Sequence, residues 1–396
     1  MKSDILIIGG GQAGSMTAIA LRMKKVGSSI TIISQENHLP YQRPQLSKGF
    51  LEGKINQQML YIKSGDYYKN NSIKIIKNKS VISINRNKKN VLLDNGEVHE
   101  YKTLVIATGS NIITIPFSSK TQNIHYLRTI EDSIQIKRML DRKKSLAILG
   151  GGYIGLEVAA TAIKKNLEVS VIDMEERVMK RSVSSEVSSF IQKKHENKGV
   201  NFLLKKNVED VLDYKNKKKI ICKDGSHITA EAIVVGVGIK PSVKLAEESG
   251  IECKNGILVD DNGMTSDRDV FAVGDCTNHP NSIYGCNIRL ESVHNAIEQA
   301  KSVASAISGK KNPYHQVPWF WSTQYDIKLK IIGLRKGYDE YFITGNMKEE
   351  KFSVIYVKNS KIIAIDTVND QKTFSYGKKA ITSKAKINKR MVEKRF

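Results

Sequence analysis

Four consecutive apolar residues, Ile5, Leu6, Ile7 and Ile8, open the chain and stop at three glycines. A short, unbroken, β-branched run bounded by glycine reads as a strand buried on both faces. Residues 15–21 then mix small and apolar side chains and read as a helix. The same grammar returns at 145–160: an apolar run, three glycines, and a helical stretch rich in alanine and valine. Further apolar runs at 30–33, 104–106, 169–172, 233–235 and 270–273 predict more buried strands. Strands alternating with helices predict an α/β chain with parallel sheets. Residues 192–230 predict hairpins, and 289–307 predict one long helix. A polar, proline-containing linker covers 309–318. Short alternating runs at 329–334, 341–344, 352–358 and 361–368 predict a C-terminal α+β part.

With 396 residues the chain exceeds one hydrophobic core, so two or three domains are expected. No apolar run approaches the roughly 20 residues of a membrane helix. The first strand begins almost at residue 1, which leaves no room for a signal peptide. Four scattered cysteines form no CxxC pair and read as reduced thiols in a cytoplasm. The net charge of +23 is large. It is either a basic docking face or a general bias toward lysine, which is spread along the whole chain. The basic stretch from Lys378 to Arg395 reads as a solvated terminal helix rather than a nucleic-acid arm.

The glycines carry the first chemistry. Gly9, Gly11 and Gly14 fill GxGxxG between a strand and a helix, and Gly150, Gly152 and Gly155 do so again. The first glycine permits the tight turn. The second lets a pyrophosphate approach the backbone, and the third lets helix pack on strand. One copy would be a weak signal; two in the right context predict two dinucleotide sites. An acid about 20 residues beyond each motif would accept hydrogen bonds from an adenosine ribose. Glu36 and Asp173 stand there.

The loop NHLPYQRPQLSK at 37–48 has two prolines and reads as extended chain opening a short helix near Ser47. On chemistry alone Arg43 and Lys48 read as surface charges. Asp275 ends an apolar strand with Gly274, where a carboxylate would face the ligand crevice of a parallel sheet. Glu157 sits on an apolar helix, which is costly for a lone charge.

Together GGGQAG, LPYQRPQLSK, ATGS, GGGYIGLEVA, VFAVGDC and PWFWSTQYD give the chain a family likeness over essentially its whole length. It resembles the FAD-dependent, NADH-utilising ferredoxin reductases of bacterial oxygenase systems. SQENHLPYQRPQLSK and VMKRSVSSEV are most similar to the reductases of 3-phenylpropionate/cinnamate dioxygenase systems. The resemblance implies a glutathione-reductase-like fold with two dinucleotide-binding domains and an α+β C-terminal domain. It implies an FAD-binding domain from 1–110 and 241–315, an NAD-binding domain at 111–240, and a C-terminal domain at 316–396. Gly9, Gly11, Gly14 and Glu36 would then bind FAD, with Arg43 and Lys48 beside the flavin and Asp275 on its ribityl chain. Gly150, Gly152, Gly155 and Asp173 would bind NADH. Glu157 would pair with Lys48 where nicotinamide meets flavin, and Trp321 would stand near the electron exit. The implied partner is an acidic two-iron, two-sulfur ferredoxin serving a terminal oxygenase. Gln45 and the Val293-His294 pair depart from the common family pattern.

Rival readings differ in their cysteine needs. A disulfide reductase needs a redox-active cysteine pair, and a peroxidase of this fold needs one cysteine in the 43–48 loop. Neither is present. A rubredoxin reductase remains close. From another class, the charge leaves open a basic flavoprotein that binds nucleic acid, which a steep salt-dependent shift with DNA would reveal.

Overall fold

The computed structural model describes residues 2–116, 123–387 and 391. The chain forms two compact units. One comprises Met1–Gln42, Gln57–Asn111 and Lys240–Pro318. The other comprises Arg43–Asn56, Ile112–Ile239 and Trp319–Phe396.

In the first unit, strand Lys2–Ile8 runs parallel to Ile30–Ile33 on one side and to Val98–Ile106 on the other. Ile73–Ile76 extends the sheet beyond Ile30–Ile33, and Val270–Ala272 pairs in parallel with Val98–Ile106. Leu6, Ile7 and Ile32 are fully buried, as an isoleucine-rich run covered on both faces requires. On one face, helices Gln12–Met23 and Val293–Ile307 share a core through Ala18, Leu21, Ala300 and Val303. Ala246, Ile251 and Ile257 cover the other face. Connections leave Lys2–Ile8 and Val98–Ile106 in opposite directions, so a crevice opens at the carboxyl ends of these two strands.

In the second unit five parallel strands lie in the order Val200–Leu203, Glu168–Ile172, Ser145–Leu149, Ala232–Val235, Ile124–Tyr126. A three-stranded antiparallel sheet, Val208–Tyr214, Lys217–Cys222 and His227–Ala230, packs through Val211 and Ile220 against them. The C-terminal residues form a five-stranded antiparallel sheet. It shares one core with the region around the second glycine motif: Leu156, Val178 and Val187 meet Phe352, Tyr356 and Val368.

Several elements differ from the sequence-based expectation. The hairpins expected from 192 begin later, because Ser185–Glu196 is a helix. Ser184 caps it by accepting from the Val187 amide at 3.2 Å. Its buried face is Val187, Ser188, Ile191 and His195, and polar members of that face hid the helical period. The aromatic run at 319–324 is a strand. The basic C-terminal segment is not a wholly solvated helix: Gln371–Thr382 buries Thr373, Gly377, Ala380 and Ile381. Most of the expected helix beyond 387 lies outside the described residues. The short helix expected near Ser47 is a 3₁₀ turn, Arg43–Ser47, that ends there rather than opening there, with Pro44 and its fixed φ near its start. Residues 43–56 pack in the second unit, not with 1–42. Their anchors there are Arg43 Nη1 on the Arg128 carbonyl at 2.7 Å and Ser133 Oγ on the Leu46 carbonyl at 2.7 Å. Among the described residues, no helix is long and apolar enough to cross a membrane.

One buried acid in the second unit makes stability depend on pH. Both donors to Asp366, the Tyr356 hydroxyl at 2.5 Å and the Ser184 amide at 3.4 Å, use Oδ2. Oδ1 has no protein partner. Burial pushes this carboxyl up to about 7, against the pull of Tyr356, Ser184 and Arg335. A raised value in the folded state means that the native protein holds a proton which the unfolded chain releases. The stabilisation is therefore full in acid, below the ordinary carboxylate range, and is lost as pH rises through about 7. Asp366→Asn keeps the shape without the charge. It is expected to raise Tm most at and above neutral pH, less in mild acid, and to leave Tm nearly unchanged only below the ordinary carboxylate range. Melting curves across pH test this, and an equal shift at every pH would contradict it.

Candidate functional site

Each unit carries one glycine cradle, and the two are built alike. Gly9 has φ +117°, and a Cβ there would lie 2.2 Å from the Ala107 carbonyl oxygen. Gly150 has φ +106°, and its Cβ would lie 2.5 Å from the Gly236 carbonyl oxygen. A Cβ on Gly14 or Gly155 would sit 2.1 Å from the carbonyl oxygen of Gly9 or Gly150 respectively. These four positions are closed to any side chain.

Gly11 and Gly152 differ from them. A Cβ at either would meet nothing within 4 Å. Each is the N-cap of its helix, with φ near −80°, and neither offers a capping side chain. The first helical bonds run from Ser15 N to the Gly11 carbonyl and from Leu156 N to the Gly152 carbonyl, both at 3.0 Å. The amides before them have no helical partner, and the helix dipole adds partial positive charge there. Open space over free amides at a helix start fits an anionic pyrophosphate. By this test, the residues present fit two dinucleotides.

The acids lie where their spacing placed them. Glu36 follows strand Ile30–Ile33, and its Oε2 accepts from the Tyr41 hydroxyl at 2.6 Å. Asp275 follows Val270–Ala272, with Ser110 Oγ donating to Oδ2 at 3.2 Å. Gly9, Glu36 and Asp275 thus share the carboxyl edge of one sheet, in the first unit. Asp173 follows Glu168–Ile172 in the second unit. It accepts the Gly151 amide at 2.6 Å and the Glu175 amide at 2.8 Å, so it braces the glycine turn.

The second unit also gathers a polar cluster around Glu157, whose side chain is only 3% exposed. Lys48 Nζ reaches Oε2 at 2.7 Å, and the Ser47 hydroxyl donates to the same oxygen. Ser322 Oγ donates to Oε1 at 2.5 Å. Burying a lone carboxylate is costly, and one ammonium with two hydroxyls offsets that cost. The oddity of an acid on an apolar helix is thereby resolved. The residues that sequence reasoning missed are the two serines. The sequence marks Ser47 only as part of a short helix, and Ser322 carries no signal without its strand.

Trp321 is not brought into this cluster. Along strand Trp319–Gln324, Ser322 and Gln324 share one face, while Trp319 and Trp321 share the other. Phe320, on the Ser322 face, packs on Tyr153 with ring centroids 4.5 Å apart. The two tryptophan rings lie 5.4 Å apart, and Trp319 also meets Phe374.

All four cysteines are free thiols, and none lies in the 43–48 loop. Among the described residues, no group of three or more His, Cys, Asp or Glu could hold a metal ion.

Comparison with known proteins agrees with this geometry. The pyridine nucleotide-disulphide oxidoreductase model matches residues 3–300, and the reductase C-terminal model matches 319–394. The rubredoxin-NAD(+) reductase of Pseudomonas putida is 35% identical, covering 92% of this chain and 95% of its own. The ferredoxin--NAD(+) reductase component of the anthranilate 1,2-dioxygenase system of Burkholderia cepacia is 34% identical, covering 93% and 92%. The crystal structure of a covalent putidaredoxin reductase–putidaredoxin complex superposes with a TM-score of 0.95 at 36% identity, covering 98% of this chain and 95% of that one. The chain belongs to the pyridine nucleotide-disulphide oxidoreductase family, among the FAD-dependent, NADH-linked reductases that deliver electrons to ferredoxins and rubredoxins in bacterial oxygenase systems.

Proposed function

We propose that this enzyme carries electrons from NADH through FAD to the two-iron, two-sulfur ferredoxin of an aromatic-ring dioxygenase of the 3-phenylpropionate/cinnamate type. The observation that carries the electron-transfer reading is the pair of matched glycine cradles, one per unit, in a chain whose 43–48 loop offers Lys48 and no thiol; the likeness of SQENHLPYQRPQLSK and VMKRSVSSEV supports the choice of oxygenase. The chain binds FAD and NAD(H), and its partner is a two-iron, two-sulfur ferredoxin. The bound FAD supplies the conversion of one two-electron donation into two one-electron deliveries.

On this reading the first cradle belongs to FAD and the second to NADH. Gly9, Gly11 and Gly14 hold the FAD pyrophosphate, Glu36 accepts from its ribose, and Asp275 accepts from its ribityl chain. Gly150, Gly152, Gly155 and Asp173 do the corresponding work for NADH. Arg43 and Lys48 present positive charge to the flavin, Glu157 holds Lys48 in place, and Trp321 lies toward the electron exit. The FAD-binding domain then comprises 1–110 and 241–315 less residues 43–56, which pack in the second unit, the NAD-binding domain 111–240, and the C-terminal domain 316–396. The net charge of +23 complements an acidic ferredoxin, and free thiols suit a cytoplasmic setting.

Cytochrome c reduction through a panel of purified iron proteins tests the partner. Turnover is expected to be fastest with a dioxygenase-type ferredoxin from a phenylpropanoid-degrading system, slower with rubredoxin, and absent with disulfide substrates. Fastest turnover with rubredoxin would overturn the dioxygenase assignment.

Nicotinamide choice is a second expected outcome. A carboxylate at Asp173 repels a 2′-phosphate. Met174 follows Asp173, so no arginine immediately adjoins to cradle that phosphate. NADH should exceed NADPH in kcat/KM by at least about tenfold, and Asp173→Ala should narrow the gap. Equal turnover with both would contradict this.

A further inference from the structure

The Glu157 cluster does not end at Ser322. Gln324 Nε2 donates to Ser322 Oγ at 3.1 Å, and Gln324 Oε1 lies 2.9 Å from His195 Nε2. His195 Nδ1 in turn lies 3.2 Å from the Tyr325 hydroxyl. Ser322, Gln324 and His195 are all buried. Each link has one consistent direction. The Gln324 oxygen can only accept, so His195 carries its proton on Nε2. Its Nδ1 is then an acceptor, and the Tyr325 hydroxyl donates to it. Gln324 donates to Ser322, and Ser322 donates to Glu157. Every donor in the chain points toward the carboxylate.

We propose that Gln324 and His195 are positioning residues for Glu157: with Tyr325 they form a one-way hydrogen-bond chain that aims the Ser322 hydroxyl at the carboxylate and holds that carboxylate facing Lys48. Aligned bonds in a buried setting polarise one another, so the terminal donor is strengthened. Burial pushes His195 down to about 4, which keeps the ring neutral and its tautomer fixed at neutral pH. The chain orients and does not conduct. A neutral amide neither takes up nor gives up a proton at ordinary pH, so Gln324 blocks proton hopping from Tyr325 inward.

The other titratable groups around the chain are few. Lys194, beside His195, is engaged by Glu350 at 2.7 Å and Asp326 at 3.0 Å. Lys48 faces Glu157, and Tyr153 lies one turn before Glu157 on its helix. The Phe202 ring packs on His195 and carries no charge.

The proposal rests on the reading of Lys48 and Glu157 given above, and its test separates the two. Gln324→Met removes the donor at similar size. Gln324→Glu replaces the donor with an acceptor and draws the Ser322 proton away from Glu157. Glu157→Gln identifies the infrared stretch of the Glu157 carboxylate by its disappearance. In the FAD-loaded protein, Gln324→Met is expected to shift that band, and Gln324→Glu to shift it further still. Ser322→Ala, which removes the direct donor, should shift it further than Gln324→Met. Flavin reduction rates are recorded on the same variants. A folded Gln324→Met protein with an unmoved band overturns the chain, even if Glu157→Gln slows reduction. A shifted band with no effect of Glu157→Gln on reduction supports the chain and removes the role given to Glu157.

Discussion

Lys48→Ala is expected to slow reduction of the bound FAD by NADH about ten- to a hundredfold, or about 1.4 to 2.7 kcal/mol. Lys48 holds a positive charge with its side chain only 17% exposed, where water screens it weakly. On the proposed reading Lys48 would stand beside the flavin, and its attraction for the negative charge of the reduced ring would be stronger in the transition state than before it. Glu157 holds the ammonium at 2.7 Å, and among the described residues the only other hydrogen bond of Nζ is to the Pro44 carbonyl at 3.3 Å. Glu157→Gln should therefore cost less than Lys48→Ala, because the lysine remains but is less tightly held. The double variant should reduce no more slowly than Lys48→Ala alone, since the two residues act as a unit. Stopped-flow bleaching of the flavin band under anaerobic NADH reads these rates. Lys48→Ala also strands a buried carboxylate with only two hydroxyl donors, so its Tm should fall, and adding Glu157→Gln should recover part of the loss. Strictly additive rate losses would mean that the pair is only an ion pair within the second unit.

The glycines give an expected result of similar size with an internal contrast. Gly14→Ala places a methyl 2.1 Å from the Gly9 carbonyl oxygen, a collision that only movement of backbone could relieve. This variant should fail to fold or lose FAD entirely. Gly11→Ala meets no protein atom within 4 Å, and its φ of −83° with ψ of −167° suits any residue. The protein should fold normally, but the methyl would stand over the free amides where the pyrophosphate must lie. FAD affinity should fall by about tenfold or more, or about 1.4 kcal/mol and upward. Gly152→Ala should likewise leave FAD content intact and weaken NADH binding. Circular dichroism with FAD fluorescence separates folding from binding. Full FAD content in Gly11→Ala would remove the first cradle from the account.

Much of this architecture was legible because its signals are local. An apolar run ending in glycine announces a buried strand and the turn after it, and both cradles follow from that alone. Glu36, Asp173 and Asp275 were legible because each ends such a strand. Helix Ser185–Glu196 was hidden because its inward positions include Ser188 and His195, which break the apolar period. The strand at Trp319–Gln324 was hidden for a related reason: its inward serine and glutamine look like surface residues until Glu157 and His195 are seen opposite them. Packing of 43–56 with the second unit was also out of reach, because long-range contacts such as Ser133 to Leu46 leave no mark in the local pattern. Lys48 and Glu157 are 109 residues apart, and only family resemblance joined them before the structure did.

The central claim is that one chain splits a two-electron donation from NADH into single deliveries to an iron–sulfur protein, with no thiol in the path. Anaerobic titration of a ferredoxin–reductase mixture with NADH, followed in the visible spectrum, tests it most directly. The variant to compare replaces Cys222, Cys253, Cys276 and Cys286 with serine. Cys276 is buried, but its thiol already donates to backbone carbonyls of Ile106 and Val273, and a serine hydroxyl can do the same. The account predicts two ferredoxins reduced for each NADH consumed, in both proteins and at rates within a few-fold. Loss of ferredoxin reduction in a folded, FAD-loaded variant without cysteines would contradict it.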